Sequence, residues 1–157
     1  MPVSRFALAV VCASLLPVTP AQACRVMRSP EQRIADVRAK NPEIRVALVR
    51  ITDAQSRPFP MSAALHKRWP KDYQDPWRAV GTVERLLTGQ WSPELVMFDR
   101  GMGSAACDDG TPKPRKGDKW VVYLNGDLGD AAVLETYPLA VAERADPTLR
   151  GLLSAKH

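Results

Sequence analysis

The stretch from Glu43 to Thr52, with the sequence EIRVALVRIT, decides the fold. It is rich in β-branched residues, which favour strands, and it has no helix-breaking proline or glycine inside it. Its apolar side chains alternate onto both sides of an extended chain: Ile44, Val46 and Leu48 on one side, and Ala47, Val49 and Ile51 on the other. We therefore predict a first strand that is largely buried on both faces.

Four more stretches downstream predict strands. They run from Trp77 to about Leu87, from Pro93 to Asp99, from Lys119 to Leu124, and from Ala132 to Tyr137. In the first of these, the apolar alternation breaks around Gly81, which indicates a β-bulge where the sheet bends.

Helices are predicted at each end of this strand series. Ser29-Pro30-Glu31-Gln32 has the pattern of a capping box, and Asn41-Pro42 ends that helix. Asp146-Pro147 caps a short helix from Pro147 to Ala155, and the middle of the long connection, Met61 to Lys67, favours another short helix. Five antiparallel strands in about a hundred residues fit a small barrel of the oligonucleotide/oligosaccharide-binding (OB) type, since closure removes exposed edges. An open sandwich is the alternative.

The first 23 residues have the pattern of a secretory signal peptide. Arg5 supplies the positive charge, Phe6 to Val18 is an apolar stretch too short for a membrane helix, and Ala21-Gln22-Ala23 is a small-x-small cleavage site. We expect residues 24–157 to be one exported domain, in the periplasm or outside the cell. Lipid modification of Cys24 competes with simple cleavage, but Ala21 stands where that pathway prefers leucine.

The composition supports a single globular domain. The chain has 157 residues, of which 45% are hydrophobic and 25% charged, with a formal net charge of +5. Low-complexity disorder, collagen and a polytopic membrane protein are excluded by these values. No later stretch is long and apolar enough for a membrane helix. The surplus of cations favours anionic surfaces or acidic proteins as partners.

Two of the three cysteines remain if Cys12 leaves with the signal. Cys24 and Cys107 then most simply form one structural disulfide, because the chain is exported. Neither lies in a Cys-x-x-Cys pair or a His/Cys cluster, so we expect no metal site and no cofactor.

The connection from residue 53 to 75 is the longest in the predicted domain. Its aromatic residues, Phe59, Trp69 and Tyr73, mark a binding surface or attach the connection to the core. It also holds His66, around which a hydrolase triad is conceivable, although no Gly-x-Ser-x-Gly stretch accompanies it. We expect no catalysis.

Lys113 to Lys119, with the sequence KPRKGDK, is the most basic segment. Trp120 and Tyr123 follow on a strand and point to opposite faces, so they do not form one stacking platform for nucleic acid. We interpret the segment as a solvated basic loop and expect no nucleic-acid partner.

The order of these features resembles a known family. The chain has, in order, a cysteine after a signal, a helix, IRVALVRI, VGTVERLLTG at 80–89, a cysteine in a glycine-rich loop, GDKWVVYL at 117–124, and a closing strand. This order is similar to that of the netrin-like domain of tissue inhibitors of metalloproteinases and its small bacterial relatives. The resemblance implies a five-stranded OB-like barrel and a disulfide joining Cys24 to Cys107.

The resemblance also implies a possible activity. The animal inhibitors chelate the protease zinc through the α-amine and carbonyl of the first cysteine, which here is Cys24. Two departures oppose this function: Val26 stands where the family has a second cysteine, and Arg25 stands where the inhibitors favour a small residue. We therefore predict a non-catalytic binding module of unknown protein partner, with metalloprotease inhibition through Cys24 and Arg25 and a hydrolase built on His66 as alternatives.

Overall fold

The computed structural model describes residues 28–68, 70, 74–90, 92–100, 111–125 and 132–155. The predicted signal peptide and the start of the domain at Cys24 lie outside these residues.

The amino-terminal helix forms as the capping pattern predicts. Helix α1 spans Pro30–Lys40, the Ser29 hydroxyl accepts from the Gln32 amide at 3.4 Å, and the Gln32 side chain accepts from the Ser29 amide at 3.2 Å. Asn41 ends the helix, and its side-chain amide donates to the Val37 carbonyl at 2.8 Å. The capping-box prediction is confirmed.

Five strands form one antiparallel sheet. They are β1 (Arg45–Ser56), β2 (Trp77–Thr88), β3 (Leu95–Arg100), β4 (Lys119–Leu124) and β5 (Val133–Pro138), in the spatial order β3-β2-β1-β4-β5. Helix α2 (Ser62–Arg68) lies in the connection between β1 and β2. Each predicted strand is present, with ends displaced by a few residues except in β4.

Strand β1 is the central strand, and both of its faces are buried as predicted. Ala47, Val49 and Ile51 belong to one apolar cluster and Val46 to another on the opposite face. In the first cluster, the rings of Trp77, Phe98 and Trp120 pack with centroids 5.5–6.0 Å apart. Every buried member of this first cluster lies on a strand, and no helix contributes to it among the described residues.

The second cluster is covered by helices. Ile34 of α1, Ala142 and Ala145 of α3 (Leu139–Ala145), and Leu149 of α4 (Leu149–Ser154) pack against Val46, Val121, Tyr123 and Tyr137. Helix α4 corresponds to the predicted terminal helix, but it begins at Leu149 with Thr148 as its N-cap, and Asp146, predicted to cap it, is instead the C-cap of α3. Helix α3 was not predicted from the sequence. It begins at Leu139, directly after Pro138, which is the last residue of β5.

The predicted bulge near Gly81 is confirmed, although the extra residue lies on β1. Ile51 pairs with Gly81 and Asp53 with Val80, so Thr52 has no residue of its own opposite it. A Cβ on Gly81 would lie 2.9 Å from the Arg50 carbonyl oxygen and against the Val49 side chain. Glycine is needed there because β1 passes too close for a side chain.

The described strands form an open sheet, so the predicted closed barrel is not confirmed. The pairings join β3 to β2 and β5 to β4, and leave β3 and β5 as the two edges. These edges nevertheless approach each other, because the Arg100 guanidinium donates from Nε to the Thr136 hydroxyl at 3.3 Å and from Nη2 to the Thr136 carbonyl.

Candidate binding surface

Three of the predicted site residues lie outside the described residues. These are Cys24, Arg25 and Cys107, so the disulfide and the inhibitory amino terminus stay predictions. The aromatic residues Trp69 and Tyr73 of the long connection also lie outside, whereas Phe59 is described and is 38% exposed.

His66 is held by a carboxylate. It lies in the last turn of α2, and its Nε2 is 3.1 Å from Oδ2 of Asp75, which precedes β2. The His66 side chain is 46% exposed. A carboxylate that orients an imidazole is one part of a general-base arrangement, and the same contact also attaches the connection to the start of β2.

The outer face of β2 and β3 exposes large apolar side chains. Leu95 and Met97 are 58% and 56% exposed, while their neighbours Val96 and Phe98 point into the core. Met97 lies opposite Val80 on β2, so Leu95, Met97 and Val80 form an apolar strip that extends from β3 onto β2. Exposed side chains of this size, side by side, are typical of a binding surface.

The backbone amides and carbonyls of Leu95 and Met97 also face away from β2. The Val83 amide donates to the Glu94 carbonyl at 2.9 Å, so every second residue from Glu94 onward bonds with β2. The amides and carbonyls of Leu95, Met97 and Asp99 therefore point to the outer edge. No described strand pairs with that edge.

An ion pair ends the apolar strip. Arg78 on β2 donates to the two oxygens of Asp99 at 2.6 and 2.8 Å. This hydrogen bond, followed by the positive charges of Arg78 and then Arg57, holds the pKa of Asp99 below its ordinary value against the opposing effect of burial. The strip is thus apolar at its centre and charged at one end.

The predicted basic loop precedes β4 and is fixed against β1. The Gly117 amide donates to the Ile51 carbonyl at 2.8 Å, and the Ile51 amide donates to the Asp118 carbonyl at 2.9 Å. Trp120 and Tyr123 point to opposite faces, as predicted, and both rings are buried in the two clusters. Neither ring is offered to a ligand.

A cleft of about 410 Å³ lies between this loop and the start of α3. Pro112, Pro114, Pro138 and Leu139 form its apolar walls, and Asp118 and Glu143 also line it. Its two lysines are directed elsewhere: Lys113 donates to Ser56 at 3.0 Å, and Lys119 lies 3.6 Å from Glu84.

Asp146 is the centre of a buried polar network. It is 3% exposed and accepts hydrogen bonds from the Tyr123 hydroxyl at 2.8 Å, from Arg38 at 2.6 Å, and from the Thr148 hydroxyl at 2.6 Å. Burial alone raises the pKa of Asp146, but the hydrogen bonds from Thr148, Arg38 and Tyr123 together outweigh it, and the pKa lies below its ordinary value. Burial, and next the hydrogen bond to Asp146, raise the pKa of Tyr123.

A second network joins α1 to the two edge strands. Glu135 of β5 accepts from Arg33 at 2.9 Å and from the Tyr137 hydroxyl at 3.0 Å, and it lies 4.0 Å from Arg100 of β3. The Arg100 guanidinium also stacks over the Tyr137 ring, 5.1 Å from its centroid. Burial, followed by the charge of Glu135, raises the pKa of Tyr137. Both networks hold elements together and are largely closed to a substrate.

Within the described ranges, no group of three or more histidine, cysteine, aspartate or glutamate side chains is placed to hold a metal ion. Among the helices that the structure describes, none is long and apolar enough to cross a membrane. Comparison of the chain with family models, curated proteins and solved structures finds no match in any of the three. The resemblance to the netrin-like domain therefore stays a prediction.

Proposed function

We propose that this protein is an exported, disulfide-stapled, non-catalytic binding module that captures an extended protein segment along β3. The observation that carries this proposal is the coincidence of two features at Leu95 and Met97. Their side chains form an exposed apolar strip, and their backbone groups point to an edge that no described strand occupies. A segment added there gains main-chain hydrogen bonds and apolar side-chain contacts together.

The proposal includes an OB-like barrel as the framework. An apolar sheet face that no described helix covers is buried most simply if the sheet curls onto itself, and the first cluster is such a face. The contact of Arg100 with Thr136 supports this, because it brings the two edge strands together at one end. A barrel that is partly open beside Leu95 would leave the proposed binding edge accessible.

A peptide selection tests the binding proposal. Peptides selected from a random library on the immobilised protein should carry apolar residues at alternate positions and should slow the hydrogen exchange of the amides of Leu95, Met97 and Asp99. Met97→Ser should weaken binding about tenfold or more, because it removes most of a large apolar contact. Met61→Ser is the matched control, since Met61 is 62% exposed but lies in the long connection. Equal loss in both variants, or peptides that protect other amides, would contradict binding along β3.

A hydrolase remains the second candidate because of the contact between His66 and Asp75. We propose testing it with His66→Ala and Asp75→Asn on panels of ester and peptide substrates. A binding module requires that both variants keep peptide affinity and show the same background turnover as the unchanged protein. A turnover that both substitutions abolish would instead favour a hydrolase.

A further inference from the structure

We propose that a second surface of this protein docks on an anionic lipid bilayer. The docking patch consists of Arg57, Phe59, Met61, Lys113, Arg115 and Lys116. It joins two segments that are distant in sequence: residues 56–61, directly after β1, and residues 111–118, directly before β4.

A contact between side chains places these two segments together. Lys113 Nζ donates to the Ser56 hydroxyl at 3.0 Å. Phe59 is three residues beyond Ser56 and therefore lies within about 11 Å of it along the chain. The turn that carries Arg115 and Lys116 begins two residues after Lys113, so the contact of Lys113 with Ser56 connects this turn to the segment that carries Phe59 and Met61.

The basic turn is rigid enough to hold its charges outward. The Asp118 carboxylate accepts a hydrogen bond from the Arg115 amide at 2.7 Å, and the Asp118 amide donates to the Arg115 carbonyl at 3.1 Å. Gly117 has a φ of +94°, which this four-residue turn requires at its third position and which glycine adopts without strain. Lys116 is therefore at the tip of a turn that is itself bonded to β1.

Among the described residues the charge of the patch is compensated only in part, and the charge of Arg57 also acts on Asp99. The two segments of the patch hold four cations and one acid, Asp118, whose carboxylate is engaged by the turn. Among the described residues, no carboxylate forms an ion pair with Arg57, Arg115 or Lys116. An anionic surface is the complementary partner.

The exposed apolar side chains favour a bilayer over an acidic protein. Met61 is 62% exposed and Phe59 is 38% exposed. Both belong to the turn over residues 59–62 that leads into α2, which is closed by a hydrogen bond from the Ser62 amide to the Phe59 carbonyl at 2.8 Å. A lipid interface accepts protruding apolar side chains beside scattered cations without a matching shape, whereas a protein partner needs pockets built to receive them.

Vesicle binding measured by sedimentation tests the proposal. The protein is purified in the form that the cell produces from the full chain. Its mass is measured, so that all variants are compared with the same amino terminus. We expect it to bind vesicles of phosphatidylglycerol mixed with phosphatidylcholine, and to bind pure phosphatidylcholine far more weakly. The affinity should fall steeply as salt is added.

Matched variants locate the binding. Each cation near an anionic bilayer contributes about fivefold to affinity, so the triple variant R57Q/R115Q/K116Q should bind about a hundredfold more weakly. The control K40Q/R144Q/R150Q removes the same charge from exposed sites on α1, α3 and α4 and should lose far less. Met61→Ser should weaken binding about tenfold, whereas Met97→Ser should not, so this result is independent of peptide capture at β3.

Two results would overturn the proposal. Equal losses in the two triple variants would show attraction by net charge alone, with no docking patch. Binding of the unchanged protein to poly-glutamate but not to the anionic vesicles would show that the patch serves an acidic polypeptide. All the substituted residues are exposed, so unchanged circular dichroism melts should accompany each measurement.

Discussion

Arg100, the last residue of β3, donates hydrogen bonds to both the side chain and the backbone of Thr136 on β5. These two strands are the opposite edges of the sheet and have no pairing with each other among the described residues. One side chain, only 10% exposed, therefore joins the two ends of the strand order. The same guanidinium lies near Glu135 and the Tyr137 ring, so this contact also connects to the network of α1.

Replacing Arg100 by alanine should destabilise the fold by about 2–4 kcal/mol, because it leaves the Thr136 hydroxyl and carbonyl without this donor and removes the positive charge beside Glu135. Chemical denaturation measures the change, and hydrogen exchange should quicken in β3 and β5 before the other strands. Arg78→Ala is the control, since its ion pair with Asp99 is exposed and contributes little. Equal losses in the two variants would contradict a special role for Arg100.

Replacing Gly81 by alanine should destabilise the protein by about 1–3 kcal/mol, because the added methyl group would press on the Val49 side chain and the Arg50 carbonyl. Gly151→Ala is the matched control. Nothing lies within 4 Å of a Cβ there, and the residue is in α4, where alanine is preferred to glycine. Thermal melts should therefore move in opposite directions, and a melt of Gly81→Ala that equals the unchanged protein would contradict the close approach of β1 and β2.

Asp146 should make stability depend on acid pH. Its pKa is lower in the folded protein than in the unfolded chain, where it is about 3.9, so the unfolded chain takes up the proton first as pH falls. The stabilisation is therefore fully present above about pH 4 and is lost as pH falls through the lower, folded pKa.

Asp146→Asn should remove that part of the acid dependence and cost about 1–3 kcal/mol at neutral pH, since Arg38, Tyr123 and Thr148 lose a charged acceptor. Denaturation at a series of pH values measures both effects. Asp36→Asn removes a carboxylate from an exposed pair with Arg28 and is the control, since such pairs contribute little to stability. An unchanged slope in Asp146→Asn would show that this carboxylate does not couple folding to protons.

Local patterns in the sequence predicted the elements well, and for physical reasons. Ser29 and Gln32 bond to each other's backbone amides, which needs no other part of the chain, and the two-sided burial of β1 follows from its own alternation. The contacts that join distant segments were not predicted. Arg38 and Asp146 are 108 residues apart, and nothing near either residue indicates the other.

The candidate surface was only partly accessible to sequence reasoning. Leu95 and Met97 alternate with Val96 and Phe98, so every side chain in that stretch is apolar and the pattern does not tell which face is exposed. Packing decides this, since Val96 and Phe98 belong to the first cluster and Leu95 and Met97 therefore lie on the opposite face. The basic loop was predicted as a solvated segment, but its connection to the segment of Phe59 and Met61 depends on the contact between Lys113 and Ser56.

Replacing Cys107 by serine should lower stability by about 2–5 kcal/mol if a disulfide joins it to Cys24, because the closed loop restricts the unfolded chain. Thermal melts with and without a reducing agent measure the change. Cys12→Ser is the matched control, as that residue should leave with the signal peptide. A melt of Cys107→Ser that equals the unchanged protein would contradict the bridge.

The intact mass of the protein recovered from its own cell fraction tests the account most directly. We expect the mass of residues 24–157 less two hydrogens, from a periplasmic or secreted fraction, which would establish export, cleavage and the Cys24–Cys107 disulfide together. An added lipid on Cys24 would leave export intact but exclude zinc chelation by a free α-amine. A full-length chain in the cytosol, with its leader attached and all thiols reduced, would contradict the account.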